Sequence, residues 1–217
     1  MNTTHNTPHQ PQVANRTSAI PYDIFLVGVG GQGILTIAEL IAETALRVGL
    51  PVNFYPSKGM AQRGGFVKGQ VRLGRARVGP NIPERGADLV IAMEASEALK
   101  AVRYVKPGGD FVLYGDVWSP TAVVLGRASY PSLDAVSAQI RGADARLCYV
   151  DPGSLPLYEG APAADNVYVL GVALARTGLG QVLPADDVAQ VIRARWPRGA
   201  ERNAFALQAG LSCALKG

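Results

Sequence analysis

The chain is nearly devoid of histidine and cysteine: of 217 residues, two are histidine and two are cysteine. His5 and His9 both fall in a polar leader, so the folded body has no imidazole to act as general base. Cys148 sits in an apolar strand-like run and Cys213 in a helical one. An iron–sulfur cluster normally needs four cysteine ligands, and a zinc site needs three or four close Cys, His or carboxylate groups. Neither set can be assembled from cysteine and histidine in the body. Cys–His and Ser–His–Asp mechanisms fall with them. The chain is therefore poorly equipped for redox or hydrolytic chemistry alone. Both cysteines read as reduced core residues, which suits a cytoplasmic location.

Other features are missing too. No apolar run reaches the ~18–20 residues of a membrane helix. No basic region followed by an apolar stretch marks a secretory signal. The net charge of +4 comes from Lys and Arg interspersed among acids. That balance suits anionic small molecules or an acidic partner; it is no nucleic-acid stripe and no membrane-binding one. Apolar residues make up 48 % of the chain, enough for the core of one good-sized α/β domain. Residues 1–20 are rich in Thr, Asn, Gln, Pro and Ser, with no acid and one Arg. They read as a disordered leader before one domain over 21–217.

What is present centres on Gly28-Val29-Gly30-Gly31-Gln32-Gly33. Tyr22 to Val27 before it reads as a buried strand; Ile34, Ile37, Ala38, Ile41, Ala42, Ala45 and Val48 after it recur at helical spacing. Gly49 and Pro51 mark the helix stop. A strand thus turns through glycines into a helix, which aims backbone N–H groups and a helix dipole into one concavity, a ready anion site. A tight turn with no ligand has the same pattern.

Val52 to Tyr55 is a short second strand, and residues 56–65 read as a loop carrying Ser57, Lys58, Gln62 and Arg63, all possible anion contacts. Strands follow at Phe66–Leu73, Ala87–Met93, Phe111–Tyr114 and Arg146–Val150. Helices are expected at Ala95–Val105, near Leu133–Ile140, and at about 165–177, 184–195 and 201–215, with Lys106–Gly109 as a turn. This rhythm predicts a doubly wound, mostly parallel sheet with helices on both faces. In such a sheet two loops after successive strands emerge at one edge, with adjacent strand ends about 5 Å apart. Glu94, at a strand end, has the ordinary reading of a helix cap.

The glycine turn together with Lys58-Gly59-Met60-Ala61-Gln62-Arg63-Gly64-Gly65 resembles the gamma-type domain of 2-oxoacid:ferredoxin (acceptor) oxidoreductases. The Gly-Met-Ala-Gln-Arg-Gly-Gly stretch is most similar to the small subunits of the indolepyruvate branch. The Asp88-to-Glu94 strand end and Asn166 with Leu170-Gly171 also fit, and the resemblance spans roughly residues 22–215. It implies a small subunit seated against a larger one that carries thiamine diphosphate and 4Fe-4S clusters. It implies oxidative decarboxylation of an aryl 2-oxoacid to an acyl-CoA, with electrons passing to a ferredoxin-like acceptor. This chain would shape the active-site entrance and help bind coenzyme A, and would be inactive alone. On that basis Gly28, Gly30, Gly31, Gln32 and Gly33 form the anion-facing turn, with Ser57, Lys58, Gln62 and Arg63 on the neighbouring loop. Two other readings stay open. One is an NADP-binding Rossmann-like oxidoreductase, with Lys58 and Arg63 on a 2′-phosphate in place of the usual ribose-holding acid. The other is a noncatalytic scaffold subunit.

Overall fold

The structure, a computed structural model, describes residues 21–58 and 65–213, without the side chain of Lys58. Strand β1 (Tyr22–Val29) is buried along its whole length. Ile24 and Leu26 feed one core, while Phe25 and Val27 feed another on the opposite face. Side chains alternate across a strand, and both faces here are covered, so the strand reads as an unbroken apolar run. Helix α1 (Ile34–Arg47) buries Ile34, Ile37, Ile41 and Ala45 on the first face. It stops where the sequence predicts. Gly49 takes φ +77°, and the N–H groups of Gly49 and Leu50 donate to the carbonyls of Leu46 (3.1 Å) and Ala45 (2.8 Å). These two bonds make a Schellman cap.

The main sheet runs β2-β3-β1-β4-β5-β6. Strands β4 (Ala87–Ala92), β5 (Val105–Tyr114) and β6 (Arg146–Val150) extend β1 in parallel. Strand β3 (Phe66–Leu73) is antiparallel to β1, and β2 (Val52–Lys58) is antiparallel to β3. The sheet is mostly parallel, as expected, but one reversed strand separates β1 from β2. Residues 59–65 alone join β2 to β3, and a parallel crossover needs about a dozen or more. Strand β2 also runs on through Pro56 to Lys58, where a loop was expected. It is the edge strand, where proline is tolerated. Lys106–Gly109, expected as a turn, is a bulge inside β5. Ala87 faces Val105 and Leu89 faces Asp110, with Gly108 at φ +69° between them.

Helices α5 (Asp165–Arg176), α6 (Leu179–Val182), α7 (Ala185–Arg195) and α8 (Ala200–Leu211) join α1 over the first face. Helices α2 (Ala95–Ala101) and α4 (Leu133–Gly142) cover the second. Helix α3 (Thr121–Val124) has no buried residue. A two-strand hairpin, β7 (Leu157–Tyr158) with β8 (Ala161–Pro162), lies in the stretch expected as a loop. This is a single doubly wound α/β domain. Because α1 leaves β1 toward one face and α2 leaves β4 toward the other, the connections part between β1 and β4 at the carboxyl edge. Open α/β sheets place ligands at that point.

Candidate functional site

The glycine turn occupies this edge. Gly31 takes φ +110° and Gly33 φ +70°, conformations that side chains disfavour. At Gly33 a Cβ would also fall 2.2 Å from Nδ2 of Asn166, so backbone and packing both require glycine there. Gly33 is the N-cap of α1 and has no side chain with which to cap it. The first-turn N–H groups of α1 therefore receive no side-chain cap, and the positive end of its dipole faces the crevice. Gly28 lies beneath: a Cβ there would meet Ile34 Cδ1 at 2.6 Å and Gln32 Oε1 at 2.7 Å. The N–H of Gly30 donates to the carbonyl of Gly65 (2.9 Å), which ties the turn to the end of the second loop.

Gln32, expected to face an anion, turns inward. Its Oε1 accepts from the Val29 amide (3.0 Å), and its Nε2 donates to the Met93 carbonyl (2.9 Å) and to Asp116 Oδ2 (2.8 Å). It braces β1 to the ends of β4 and β5. Its backbone N–H goes to the Val29 carbonyl (3.2 Å). What the turn can offer a ligand is thus the main chain of Gly31, Gly33 and the start of α1. Behind it, burial and nearby Asp116 push the Asp165 carboxyl above its usual range. Burial pushes the Tyr114 hydroxyl up as well, reinforced by Asp165 and Asp116. With acids in the background, positive charge must come from elsewhere.

Glu94 caps α2, as its place at a strand end predicts. Its carboxylate is fully buried and accepts from the Glu97 amide (2.8 Å), the Ser96 hydroxyl (2.7 Å), the Trp118 amide (3.1 Å) and the Tyr130 hydroxyl. It pins the loop after β5 against the start of α2. A cavity of about 220 Å³ opens beside this anchor, lined by Val29, Ser96, Glu97, Trp118, Ser119 and Thr121 among others. Glu97 pairs with Lys100 (2.7 Å), whose ammonium lies 5.1 Å from the centre of the Phe66 ring. The loop's apolar groups point outward: Trp118 is 48 % exposed, Leu125 57 % and Val124 71 %.

The second loop comes to the same edge by another route. Strands β1 and β2 run in the same direction and flank β3, so both end at the carboxyl edge. They are two strand spacings apart, roughly 10 Å, and not one. Ser57 is exposed on β2 and Lys58 ends that strand. Gln62 and Arg63 lie outside the described residues. A dinucleotide fold needs β2 beside β1 to present the ribose-holding group near the glycines. Here β3 takes that place.

The sequence reading passed over Asp116, Trp118, Ser119 and Thr121. Their signal was positional, since they follow a strand whose carboxyl end flanks the switch point. Neither cysteine stands in the crevice lining. Cys148 is buried, its thiol pushed up to about 11 by burial, and Cys213 accepts from the Tyr168 hydroxyl (3.1 Å).

A doubly wound domain with a glycine turn and a second loop converging at one sheet edge narrows the class, and comparison with known proteins places it. Residues 23–213 match the family described as pyruvate ferredoxin/flavodoxin oxidoreductase, and the chain belongs to that family. It is 40 % identical over 150 residues to the indolepyruvate oxidoreductase subunit IorB of Archaeoglobus fulgidus, covering 69 % of this chain and 74 % of that protein. It is 35 % identical to IorB of Pyrococcus horikoshii, covering 89 % and 96 %. Its fold is that of the pyruvate oxidoreductase subunit PORC of Thermotoga maritima, with a TM-score of 0.62 at 21 % identity, covering 88 % and 94 %.

Proposed function

We propose that this chain is the small subunit of an indolepyruvate-type 2-oxoacid oxidoreductase. It would sit against a large subunit that carries thiamine diphosphate and 4Fe-4S clusters. The observation that supports this best is the hydrogen bond from Gly30 to the Gly65 carbonyl. It joins the two loops that carry the family wording into one unit at the carboxyl edge. The described cysteines do not fit a cluster: one is buried in the sheet and the other is tied to Tyr168. We therefore place no electron-transfer step on this chain. The outward apolar groups of Trp118, Val124 and Leu125 at the rim are what a subunit contact would cover.

In this reading the chain binds and orients. The main-chain N–H groups of Gly31, Gly33 and the start of α1 face a phosphate or carboxylate of coenzyme A or substrate. Lys58 and Arg63, with Ser57 and Gln62, supply the side-chain contacts, Arg gripping in a fork and Lys as a point charge. Reduction of a ferredoxin-like acceptor belongs to the partner. The test is co-expression with a large thiamine-dependent subunit. The two should co-purify, and the complex, but not this chain alone, should reduce an acceptor dye with indolepyruvate and coenzyme A. Stoichiometric NADPH binding by the isolated chain, with no partner captured, would overturn the reading.

A further inference from the structure

We propose that the amino edge of the sheet holds a second binding site, for a small zwitterionic amino acid with an apolar or aromatic side chain. A cavity of about 370 Å³ opens where β1, β4 and the β5 bulge begin, beside α6. That is within the range of small-molecule sites. The length of β1 separates it from the glycine turn by roughly 25 Å.

Its walls are apolar on one side, from Leu50, Val182 and the Tyr22 ring. On the other side two opposite charges stand together. Asp88 takes the Asp23 amide (2.7 Å) on one oxygen and the Lys106 ammonium on the other. Each carboxylate oxygen has a further lone pair, and an ammonium with one partner keeps two N–H donors. The Lys106 side chain is 46 % exposed, so those donors reach the cavity mouth, near the exposed Gln181. A simple carboxylate there would meet the repulsion of Asp88, and a simple amine that of Lys106. A molecule with both charges satisfies both, while its side chain lies on the apolar wall.

It is the Tyr22 ring that forms this wall: its hydroxyl is buried away from the cavity beside Thr177, whose own hydroxyl donates to the Ala173 carbonyl (2.6 Å) and accepts from the Leu179 amide (3.2 Å). An adjoining cavity of about 310 Å³ shares Leu50 and Val182 and extends the apolar wall.

The experiment is calorimetric titration of the full chain with L-phenylalanine and L-leucine. 3-Phenylpropionate, which lacks the ammonium, and phenethylamine, which lacks the carboxylate, serve as comparisons. The amino acids should saturate, with both comparison compounds at least ~10-fold weaker. Lys106→Met should weaken binding by a similar factor, and Val182→Trp should fill the cavity and abolish it. Circular dichroism checks that each variant is folded, and Gln181→Glu replaces any that is not. No saturable binding up to millimolar concentration sinks the proposal. So does equal binding of 3-phenylpropionate, or unchanged binding in every folded variant. The measurement needs neither a large subunit nor coenzyme A, so its failure and that of the small-subunit reading are separable.

Discussion

At the scale of single residues, the turn is held by side chains that face away from any ligand. Gln32 uses both ends of its amide on protein partners, and Asn166 fills the space that a side chain at position 33 would need. Gly33 is therefore the most sensitive point of the site. Gly33→Ala has to adopt φ +70° and displace an amide group 2.2 Å away. Backbone strain of this kind costs about 1–3 kcal/mol, and overpacking a similar amount. For a domain of this size each kcal/mol lowers the melting temperature by about 2–4 °C. Together these give about 2–6 kcal/mol, so we expect a fall of roughly 4–24 °C by thermal denaturation, and weakened anion binding in whatever remains folded. An unchanged melting temperature would show that Asn166 moves aside freely. The glycines were legible because the requirement is local to the chain. The inward turn of Gln32 was not, since its partners Met93 and Asp116 are 61 and 84 residues away.

Secondary-structure elements tell the same story at longer range. The expected helix at residues 184–195 is observed as Ala185–Arg195, and that at 165–177 as Asp165–Arg176, because helical spacing and end signals are local. The last helix ends at Leu211, short of the expected 215, with residues 214–217 outside those described. Strand direction is a tertiary property, and the reversal of β3 went unread although the short 59–65 connection contained the clue. Helix contact is likewise non-local. A Cβ on Gly171 of α5 would lie 2.4 Å from the Leu207 carbonyl oxygen and 3.0 Å from Gly210 Cα of α8. Backbone atoms cannot rotate away, so Gly171→Ala has to part the two helices. We expect a net loss of about 1–3 kcal/mol, with faster hydrogen exchange concentrated in α8. Gly142 ends α4 with nothing within 4 Å of its would-be Cβ. Gly142→Ala should therefore be neutral, or stabilising by up to about 1 kcal/mol. If both substitutions behave alike, helix propensity and not close approach governs the α5–α8 pair.

For the whole molecule, the question is what the second loop does once a partner is present. Strands β1 and β2 deliver both motif loops to one edge, and the Gly30–Gly65 hydrogen bond fixes the end of the second loop against the first. Arg63 is two residues before Gly65 in the sequence and lies outside the described residues. The acids behind the turn, Asp116 and Asp165, leave the second loop as the natural source of positive charge for an anion. Arg63→Ala should then leave assembly with the large subunit intact and raise the coenzyme A or substrate concentration needed for half-maximal rate. Removing one charge-assisted contact costs on the order of 1.5–3 kcal/mol, which corresponds to ~10–100-fold in apparent affinity. Size-exclusion chromatography reads the assembly, and steady-state titration of coenzyme A reads the affinity. If Arg63 instead bridges to the partner, assembly fails, while any complex that does form keeps normal coenzyme A dependence. Arg63→Lys separates the two further, because a point charge replaces part of a phosphate contact but not a forked pair with a carboxylate. Normal assembly with normal kinetics in Arg63→Ala would leave the residue a surface charge and return the anion to the main chain of the glycine turn alone.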